Sequence, residues 1–377
     1  MRISPHSPLH GCQGLVRILS PKRLIKGLRL GNLDLFTSKS KAMKVQHIIG
    51  ADLSKKTIDL FSHECHSHIS IKNDPEGFKQ MTKWMSGQNI NSSEVMIVME
   101  HTGLYSFHFE GFLHQKGIAF SKVSALQIKR SLGIARGKSD KIDAKRIARY
   151  GYEKRDILTI EPQTSKELQR LQLLTATRER LVRHKAAMIC AIKEYHNIGL
   201  SEKDPIMVCQ TRMVRQFEKE IEKIEEQIDV LTESNSSIKQ NQDLLLSIKG
   251  VGKVLSLETI IKTRNFSRFK NARKFACYCG TAPFPCESGT SLKMKTKVDS
   301  HADKRMKTLL DLSAKTAIQH DKELREYYLK RLEKGKSKMS TINIVRNKIL
   351  YRMFAVIKRQ TPFVESYLET FLAVCKP

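Results

Sequence analysis

The sequence predicts an α/β N-terminal domain, then a long helical spacer, then a mostly α-helical C-terminal domain. Short buried strands alternate with helices up to about residue 160, and leucines and isoleucines then recur at helical spacing between charged residues. Helical patterns continue from there almost to the C-terminus. We therefore expect a basic extension over residues 1–42 and domains over 43–160, 161–240 and 241–377.

Composition narrows the function before any motif is considered. The 377 residues include 67 Lys and Arg against 38 Asp and Glu, which leaves a formal net charge of +29. Such an excess favours a polyanionic partner, because cations that displace counterions from phosphates gain binding free energy. No run of 18 apolar residues is present, so we expect no membrane span. Eight scattered cysteines are typical of a reduced, cytosolic protein.

Globular patterning begins only at Met43. The first 42 residues are basic, contain Pro5, Pro8 and Pro21, and lack a secretory leader pattern. We expect this extension to be disordered and dispensable, with a basic arm that contacts nucleic acid as the alternative.

The region after Met43 has the pattern of a mixed sheet flanked by helices. We predict three adjacent strands first, and then helices that alternate with two further strands. The predicted strands are 47–53, 57–63, 67–73, 94–99 and 119–123, and the predicted helices are 75–85, 104–116 and 140–152, the last capped by Ser139.

Residues 164–236 repeat apolar side chains at helical spacing, interrupted near the middle by Pro205. The repeating residues are Leu168, Leu171, Leu174, Leu181, Ile221, Ile224, Ile228 and Leu231. This pattern predicts a helical hairpin or coiled coil, which serves as a spacer or as the element through which a homodimer or homotetramer forms.

The C-terminal region contains a glycine turn and a basic stretch. Gly250 and Gly252 lie in a tight turn between two predicted helices, similar to a helix-hairpin-helix, where backbone N–H groups can bind a phosphate. A helix C-cap is the simpler explanation of such glycines. We predict a loop over 278–289 and final helices over 304–319, 322–333 and 340–360. The candidate nucleic-acid contacts after the loop are Lys293, Lys295, Lys297, Lys304 and Arg305.

Four acidic residues stand where a phosphodiester-cleaving site needs them. Asp52 and Glu100 end buried strands, and Asp140 and Asp143 are three residues apart on one helix, hence on one face. Converging carboxylates are the ligands of Mg²⁺, and paired ions can activate an attacking oxygen and stabilise a leaving one. Each acid alone also fits a turn or a helix cap. The joint arrangement is that of a RuvC-like or RNase H-like fold.

Two histidine and cysteine clusters raise the alternative of zinc. One comprises His63, Cys65, His66 and His68, and the other comprises Cys277, Cys279 and Cys286. Neither has the paired C-x-x-C or C-x-x-H spacing of structural zinc sites, so an ordinary turn and a buried helix end are favoured.

Five sequence runs together resemble one family. The runs GADLSKKTIDL, VMEHTGLYS and RGKSDKIDAKRIARYG resemble the DEDD domain of insertion-sequence one-ten family transposases. SIKGVGKVLSLETI and FKNARKFACYCGTAPFPCESGTS resemble the domain that follows in that family, and Piv-type DNA invertases share the organisation. The resemblance extends over about residues 44–360. The stretch after Ser291 departs from it, because it lacks the glycine-rich basic segment of relatives.

The resemblance implies a site and partners. It implies a RuvC-like domain in which Asp52, Glu100, Asp140 and Asp143 bind Mg²⁺ or Mn²⁺, and a C-terminal domain in which Ser288 is the nucleophile. It also implies element-end and target DNA as substrates and a noncoding bridge RNA as guide.

Three functions are compatible with these features. The first is a transposase or site-specific recombinase that cuts and rejoins DNA through a serine. The second is a RuvC-like hydrolytic nuclease or Holliday-junction resolvase, and the third is a binding protein with a decayed site. The intact acids disfavour the third, and Ser288 in a loop beside Gly289 favours the first over the second.

Overall fold

The computed structural model describes residues 45–364 except 102, 132, 134–136, 138, 289–291, 299 and 300, and it leaves out the side chains of 285–295. The expectations for residues 1–42 therefore lie outside the described residues. The chain divides into two compact units, the first ending at Pro162 and the second beginning at Gln163.

The first unit is built around one sheet. Its strands are β1 (His47–Leu53), β2 (Thr57–Ser62), β3 (Ser67–Lys72), β4 (Val95–Glu100) and β5 (Ala119–Val123). Its helices are α1 (Pro75–Gly87), α2 (Phe107–Gln115), α3 (Ala125–Ser131) and α4 (Asp140–Glu153), with a 3₁₀ turn over Gly103–Ser106.

The five strands lie in the order β3-β2-β1-β4-β5. The first three pair antiparallel, because short turns join them, and β1, β4 and β5 run parallel, because helices make the crossovers. The predicted mixed sheet with flanking helices is therefore confirmed, and each predicted strand ends within one residue of the observed one.

Each face of the sheet is covered by different helices. On one face, Ile49 and Leu53 of β1 pack in a core with Phe78 and Met81 of α1 and with residues of α2. On the other face, Ile48 of β1 packs in a core with residues of β4, α3 and α4. The alternation of side chains along β1 thus separates an α1/α2 face from an α4 face.

The second unit is largely helical. Its helices are α5 (Lys166–Asn197), α6 (Pro205–Glu233), α7 (Ser236–Leu246), α8 (Lys253–Thr263), α9 (Ala272–Tyr278), α10 (Lys304–His320), α11 (Lys322–Glu333) and α12 (Lys338–Arg359). No described helix of either unit is long and apolar enough to cross a membrane.

The helices α5 and α6 pack against each other in antiparallel orientation. Arg178 pairs with Glu225, and Lys185 pairs with Glu218. Residue numbers therefore increase along α5 in the direction in which they decrease along α6. The pair joins the main core of the unit at its base, where leucines of α5 are buried with residues of α7, α8 and α10. Beyond this base, Ile206 and Val208 are exposed.

The predicted loop over 278–289 is wrong in part. Residues Pro283–Ser288 form strand β6, which pairs antiparallel with β7 (Leu292–Val298). The sequence of β7 contains the missed signal, since apolar residues and threonine alternate with lysines in LKMKTKV, the two-residue period of a strand. The basic stretch that begins at Lys293 is therefore partly a strand of this hairpin.

Candidate active site

Strand alternation places two of the predicted acids on the α4 face of the sheet. Asp52 lies two residues after Gly50 and four after Ile48, and Ile48 belongs to the core under α4. Glu100 lies two residues after Val98, which belongs to the same core. Because β1 and β4 are adjacent and parallel, both carboxylates emerge from the same end of the sheet.

Helix α4 reaches the sheet because β1 has no side chain at Gly50. A Cβ there would lie 2.2 Å from Ala148 N and 2.3 Å from Ala144 O of α4. At Gly151, further along the helix, a Cβ would lie 2.8 Å from Cγ2 of Ile48. The helix therefore runs antiparallel to β1 and brings its first turn toward Asp52.

That first turn contains the other two predicted acids. Ser139 caps the helix by accepting a hydrogen bond from Ile142 N, so α4 begins at Asp140 as predicted. Asp140 and Asp143 then lie three residues apart on neighbouring positions of one face.

The four carboxylates interact electrostatically. Burial raises the pKa of Asp52 to about 6, with further contributions from the charges of Asp140, Asp143, Glu100 and Asp59, in that order. Burial and the charge of Asp143 also raise the pKa of Glu100. The structure thus places Glu100, Asp140 and Asp143 near enough to the half-buried Asp52 for their charges to raise its pKa.

A divalent cation fits this cluster by charge and ligand chemistry. Hard oxygen donors that repel one another are stabilised when a cation is placed among them. Asp143 is already paired with Arg146 at 2.8 Å, which offsets part of the negative charge. Within the described residues, no three acidic, histidine or cysteine side chains are gathered closely enough to hold an ion as they stand.

A fifth acid faces the same cluster and was missed in the sequence. Asp59 of β2 is the direct cross-strand partner of Asp52, is only 8% exposed, and contacts His68 Nε2 through Oδ1 at 2.9 Å. The turn of three residues between β1 and β2 sets this register, so a register assignment of the predicted hairpin would have found it.

Asn73 is a second residue that the sequence patterns did not single out. Its Nδ2 donates to Ser54 O at 2.9 Å and to Tyr105 O at 3.0 Å. It therefore ties the turn after Asp52 to the 3₁₀ turn after Glu100. No local pattern could have indicated this, because the three segments are distant in the chain.

Ser288 belongs to the second unit. It is the last residue of β6, in register with Leu292 of β7, and its side chain lies outside the described residues. The same holds for the side chains of Lys293 and Lys295, whereas Lys297 and Lys304 are exposed and Arg305 is paired with Glu179 at 3.6 Å.

The two glycines of the predicted turn have different surroundings. Gly250 has a φ of +90°, and a Cβ there would lie 2.7 Å from Ser313 O, so packing against α10 by itself accounts for this glycine. Gly252 is the N-cap of α8, has no side-chain cap, and has open space around its Cα. The turn therefore has room for an added side chain at Gly252 but not at Gly250.

Two histidines of the first-unit cluster have other partners in the structure. His63 stacks on Tyr152 with ring centroids 4.0 Å apart, and His68 contacts Asp59. In the second cluster, Cys279 is fully buried and Cys286 falls among the side chains outside the description.

The first test concerns the close contact between β1 and α4 at Gly50. Gly50→Ala should destabilise the protein by about 1–3 kcal/mol or more, because the added methyl group meets helix backbone that cannot rotate away. In the DNA-cleaving enzyme that the resemblance implies, it should also lower cleavage by moving Asp140 and Asp143 away from Asp52. Urea denaturation and a cleavage assay measure both effects.

The matched control for this substitution is Gly111→Ala in α2. A Cβ at Gly111 meets nothing within 4 Å, so alanine should be neutral or stabilise the helix by about 0.5–1 kcal/mol. Equal stability of the Gly50→Ala variant and the wild type would contradict the proposed helix placement.

Two family models match the chain. Residues 242–329 match the Transposase IS116/IS110/IS902 family, and residues 49–195 match a model described as Transposase, the DEDD domain of IS110. Together they cover well over half of the chain, in the order that the sequence runs predicted. A DEDD transposase domain indicates dependence on a divalent metal ion.

Curated relatives agree with these models. The chain is similar to the pilin gene-inverting proteins of Moraxella bovis and Moraxella lacunata, each 26% identical over 321 residues, which is 84% of this chain and 97% of the relative. It is also similar to an uncharacterized 44.8 kDa protein of insertion element IS116 from Streptomyces clavuligerus, 30% identical over 93 residues, or 25% of this chain and 23% of the relative. The chain therefore belongs to the IS110 family of transposases, enzymes that cut and rejoin DNA.

Proposed function

We propose that this transposase breaks and rejoins DNA strands through Ser288, with Mg²⁺ or Mn²⁺ bound by Asp52, Glu100, Asp140 and Asp143. The observation that carries this proposal is the half-buried Asp52, whose pKa is raised first by burial and then by the charges of Asp140, Asp143 and Glu100. The strand order β3-β2-β1-β4-β5, with the acids at the ends of adjacent strands and α4 laid across them, supports a RuvC-like fold.

The chemistry requires the two units to act on one phosphate. The Ser288 Oγ attacks phosphorus, the bond from phosphorus to one DNA sugar oxygen breaks, and that oxygen takes up a proton while the serine proton leaves. A divalent ion at the acids would supply the positive charge that lowers the proton affinity of the attacking hydroxyl and stabilises the leaving oxygen. The acids hold the ion, and the β6–β7 hairpin presents the serine, from the same subunit or from another.

The phosphoserine bond distinguishes rejoining from hydrolysis. Attack by a second DNA hydroxyl on the phosphoserine re-forms a phosphodiester without ATP, whereas attack by water on DNA would only cut it. The pilin gene-inverting relatives are named for inversion, which requires strands to be rejoined, so they favour the recombinase over the hydrolytic nuclease.

The proposed DNA partners are consistent with the basic charge of the chain, and the guide RNA is what the family resemblance implies. The substrates are the element ends and the target DNA in the bacterial cytoplasm, contacted through the basic residues from Lys293 to Arg305 and through the turn at Gly252. A noncoding bridge RNA serves as the guide. A dimer or tetramer forms through α5 and α6 as a coiled coil, consistent with the exposed Ile206 and Val208 beyond the base of this pair. The division of the chain at 43–160, 161–240 and 241–377 is part of the same proposal.

Metal removal tests the role of the acids. Cleavage of element-end DNA should be lost in EDTA and restored by excess Mg²⁺ or Mn²⁺, because the carboxylates need a cation before they can bind a phosphate. Retention of DNA binding in EDTA, measured by mobility shift, is the control for an intact protein. Undiminished cleavage in chelator would remove the metal from the mechanism.

A further inference from the structure

The hairpin that contains Ser288 begins at a tight helix end. The last turn of α9 ends in a Schellman arrangement, in which Thr281 N donates to Ala276 O and Gly280 N donates to Cys277 O. Gly280 has a φ of +64°, the left-handed conformation that such an end requires. The chain then turns directly into β6 through Thr281 and Ala282, both fully buried.

The segment that follows the hairpin is also attached to the end of α9. After β7, Asp303 N donates to Tyr278 O at 3.0 Å, and Tyr278 OH donates to Asp303 Oδ2 at 2.9 Å. Lys262 of α8 adds an ion pair to Asp303 at 3.1 Å. The residues that lead into β6 and the start of α10, which follows the hairpin, are therefore both held at the end of α9.

Two asparagines of α12 bind the backbone of Thr281, just before β6. Asn343 Nδ2 donates to Thr281 O at 2.9 Å, and Asn347 Nδ2 donates to the same oxygen at 2.8 Å. The Thr281 hydroxyl donates in turn to Asn347 Oδ1 at 3.0 Å. One backbone carbonyl thus receives two side-chain amides, and both belong to a single helix that is separated from it by more than 60 residues.

The orientation of both amides is set by their neighbours. Arg346 Nη1 donates to Asn343 Oδ1 at 3.4 Å, and this buried arginine is itself paired with Asp311 of α10. Asn347 Nδ2 also donates to Asn343 O at 3.0 Å. Rotation of either amide by 180° would break these bonds, so each NH₂ group is kept facing Thr281 O.

We propose that Asn343 and Asn347 are positioning residues. They hold the β6–β7 hairpin, which contains Ser288, in the orientation needed for attack on the phosphate. The inference rests on the proposed role of Ser288. Position matters because a displacement of the attacking atom by about 1 Å can lower a rate by about 10²-fold. Thr281 precedes β6 by two residues, so a change in the backbone direction at Thr281 would reorient the whole hairpin.

The test separates hairpin position from general stability. Asn347→Leu removes both donors and the acceptor while keeping the branching at Cγ, and Thr281→Val replaces the hydroxyl with a methyl group. Thr259→Val is the matched control, since Thr259 is fully buried in α8 and its hydroxyl bonds only Leu255 O of its own helix. The measurements are the rate of covalent protein–DNA adduct formation at saturating nicked DNA, the DNA affinity and hydrogen exchange of residues 283–298.

The adduct rate should fall by about tenfold or more in Asn347→Leu and by less in Thr281→Val, with DNA affinity unchanged within about twofold. Hydrogen exchange should rise in the hairpin but not in α10. Thr281→Ser, which keeps the hydroxyl, should match the wild type, and Thr259→Val should keep the wild-type rate despite lower stability. If Asn347→Leu does not fold, the comparison of Thr281→Val with Thr281→Ser carries the test.

Two results would overturn the inference. One is a wild-type adduct rate in a folded Asn347→Leu or Thr281→Val variant, and the other is an equal loss in Thr259→Val. Failure of the proposed function has a different signature, because adduct would then persist in Ser288→Ala while the exchange of the hairpin still depended on Asn347.

Discussion

Asp52→Asn should abolish DNA cleavage while making the metal-free protein more stable near neutral pH. Loss of one carboxylate from the cluster removes a ligand for the cation, and we expect a rate loss of at least about 10³-fold, the scale for removing a group that stabilises transition-state charge. Stability should move in the opposite direction, because Asp52 is partly buried among like charges.

The pH dependence of this stability difference follows from the pKa of Asp52. In the folded protein its pKa is raised from the ordinary 3.8 to about 6, so the folded state binds this proton more tightly than the unfolded state. The stability linked to Asp52 is therefore fully present below about pH 4 and is lost as the pH rises through about 6. The melting temperature of Asp52→Asn relative to the wild type should rise across that window and stay constant above it.

A control and a contrary outcome make this prediction specific. Asp156→Asn changes an exposed acid beyond α4 and should not alter cleavage. Excess Mg²⁺ should raise the melting temperature of the wild type more than that of Asp52→Asn. Wild-type cleavage by Asp52→Asn, or a stability difference that does not depend on pH, would contradict the assignment of Asp52 to the site.

Ser288→Ala should eliminate the covalent protein–DNA intermediate and with it recombination. A nicked substrate traps the intermediate, because the cut strand can leave before rejoining, and the adduct should resist SDS as a phosphate ester of serine. Without the hydroxyl there is no atom to form the ester, so adduct should fall below detection while DNA binding persists.

Ser291→Ala is the matched control, since it removes a serine hydroxyl three residues after Ser288. This variant should keep the adduct and recombine at close to the wild-type rate. Adduct that persists in Ser288→Ala and disappears in Ser291→Ala would move the nucleophile to Ser291. Normal recombination by Ser288→Ala would exclude a serine mechanism at this position.

The local features of the acidic site could be predicted from the sequence. The two-residue period of β1 and β4 puts Asp52 and Glu100 on one face, and the Ser139 cap sets the start of α4 and hence the places of Asp140 and Asp143. These features depend on backbone geometry within a single element, so neighbouring residues are sufficient to determine them. The β6–β7 hairpin also had such a local signal, the alternation in β7, and the prediction of a loop overlooked it.

What the sequence by itself determined is therefore the order of the elements, the face that each acidic side chain takes, and the family to which the chain belongs. Only the tertiary structure decided that α4 lies on β1 at Gly50, that Asp59 joins the cluster, and that two asparagines of α12 meet Thr281. The physical reason is distance along the chain. Periodicity encodes which way a side chain points within its element. Which other element that side chain contacts depends on the close packing of surfaces from segments that are distant in the sequence.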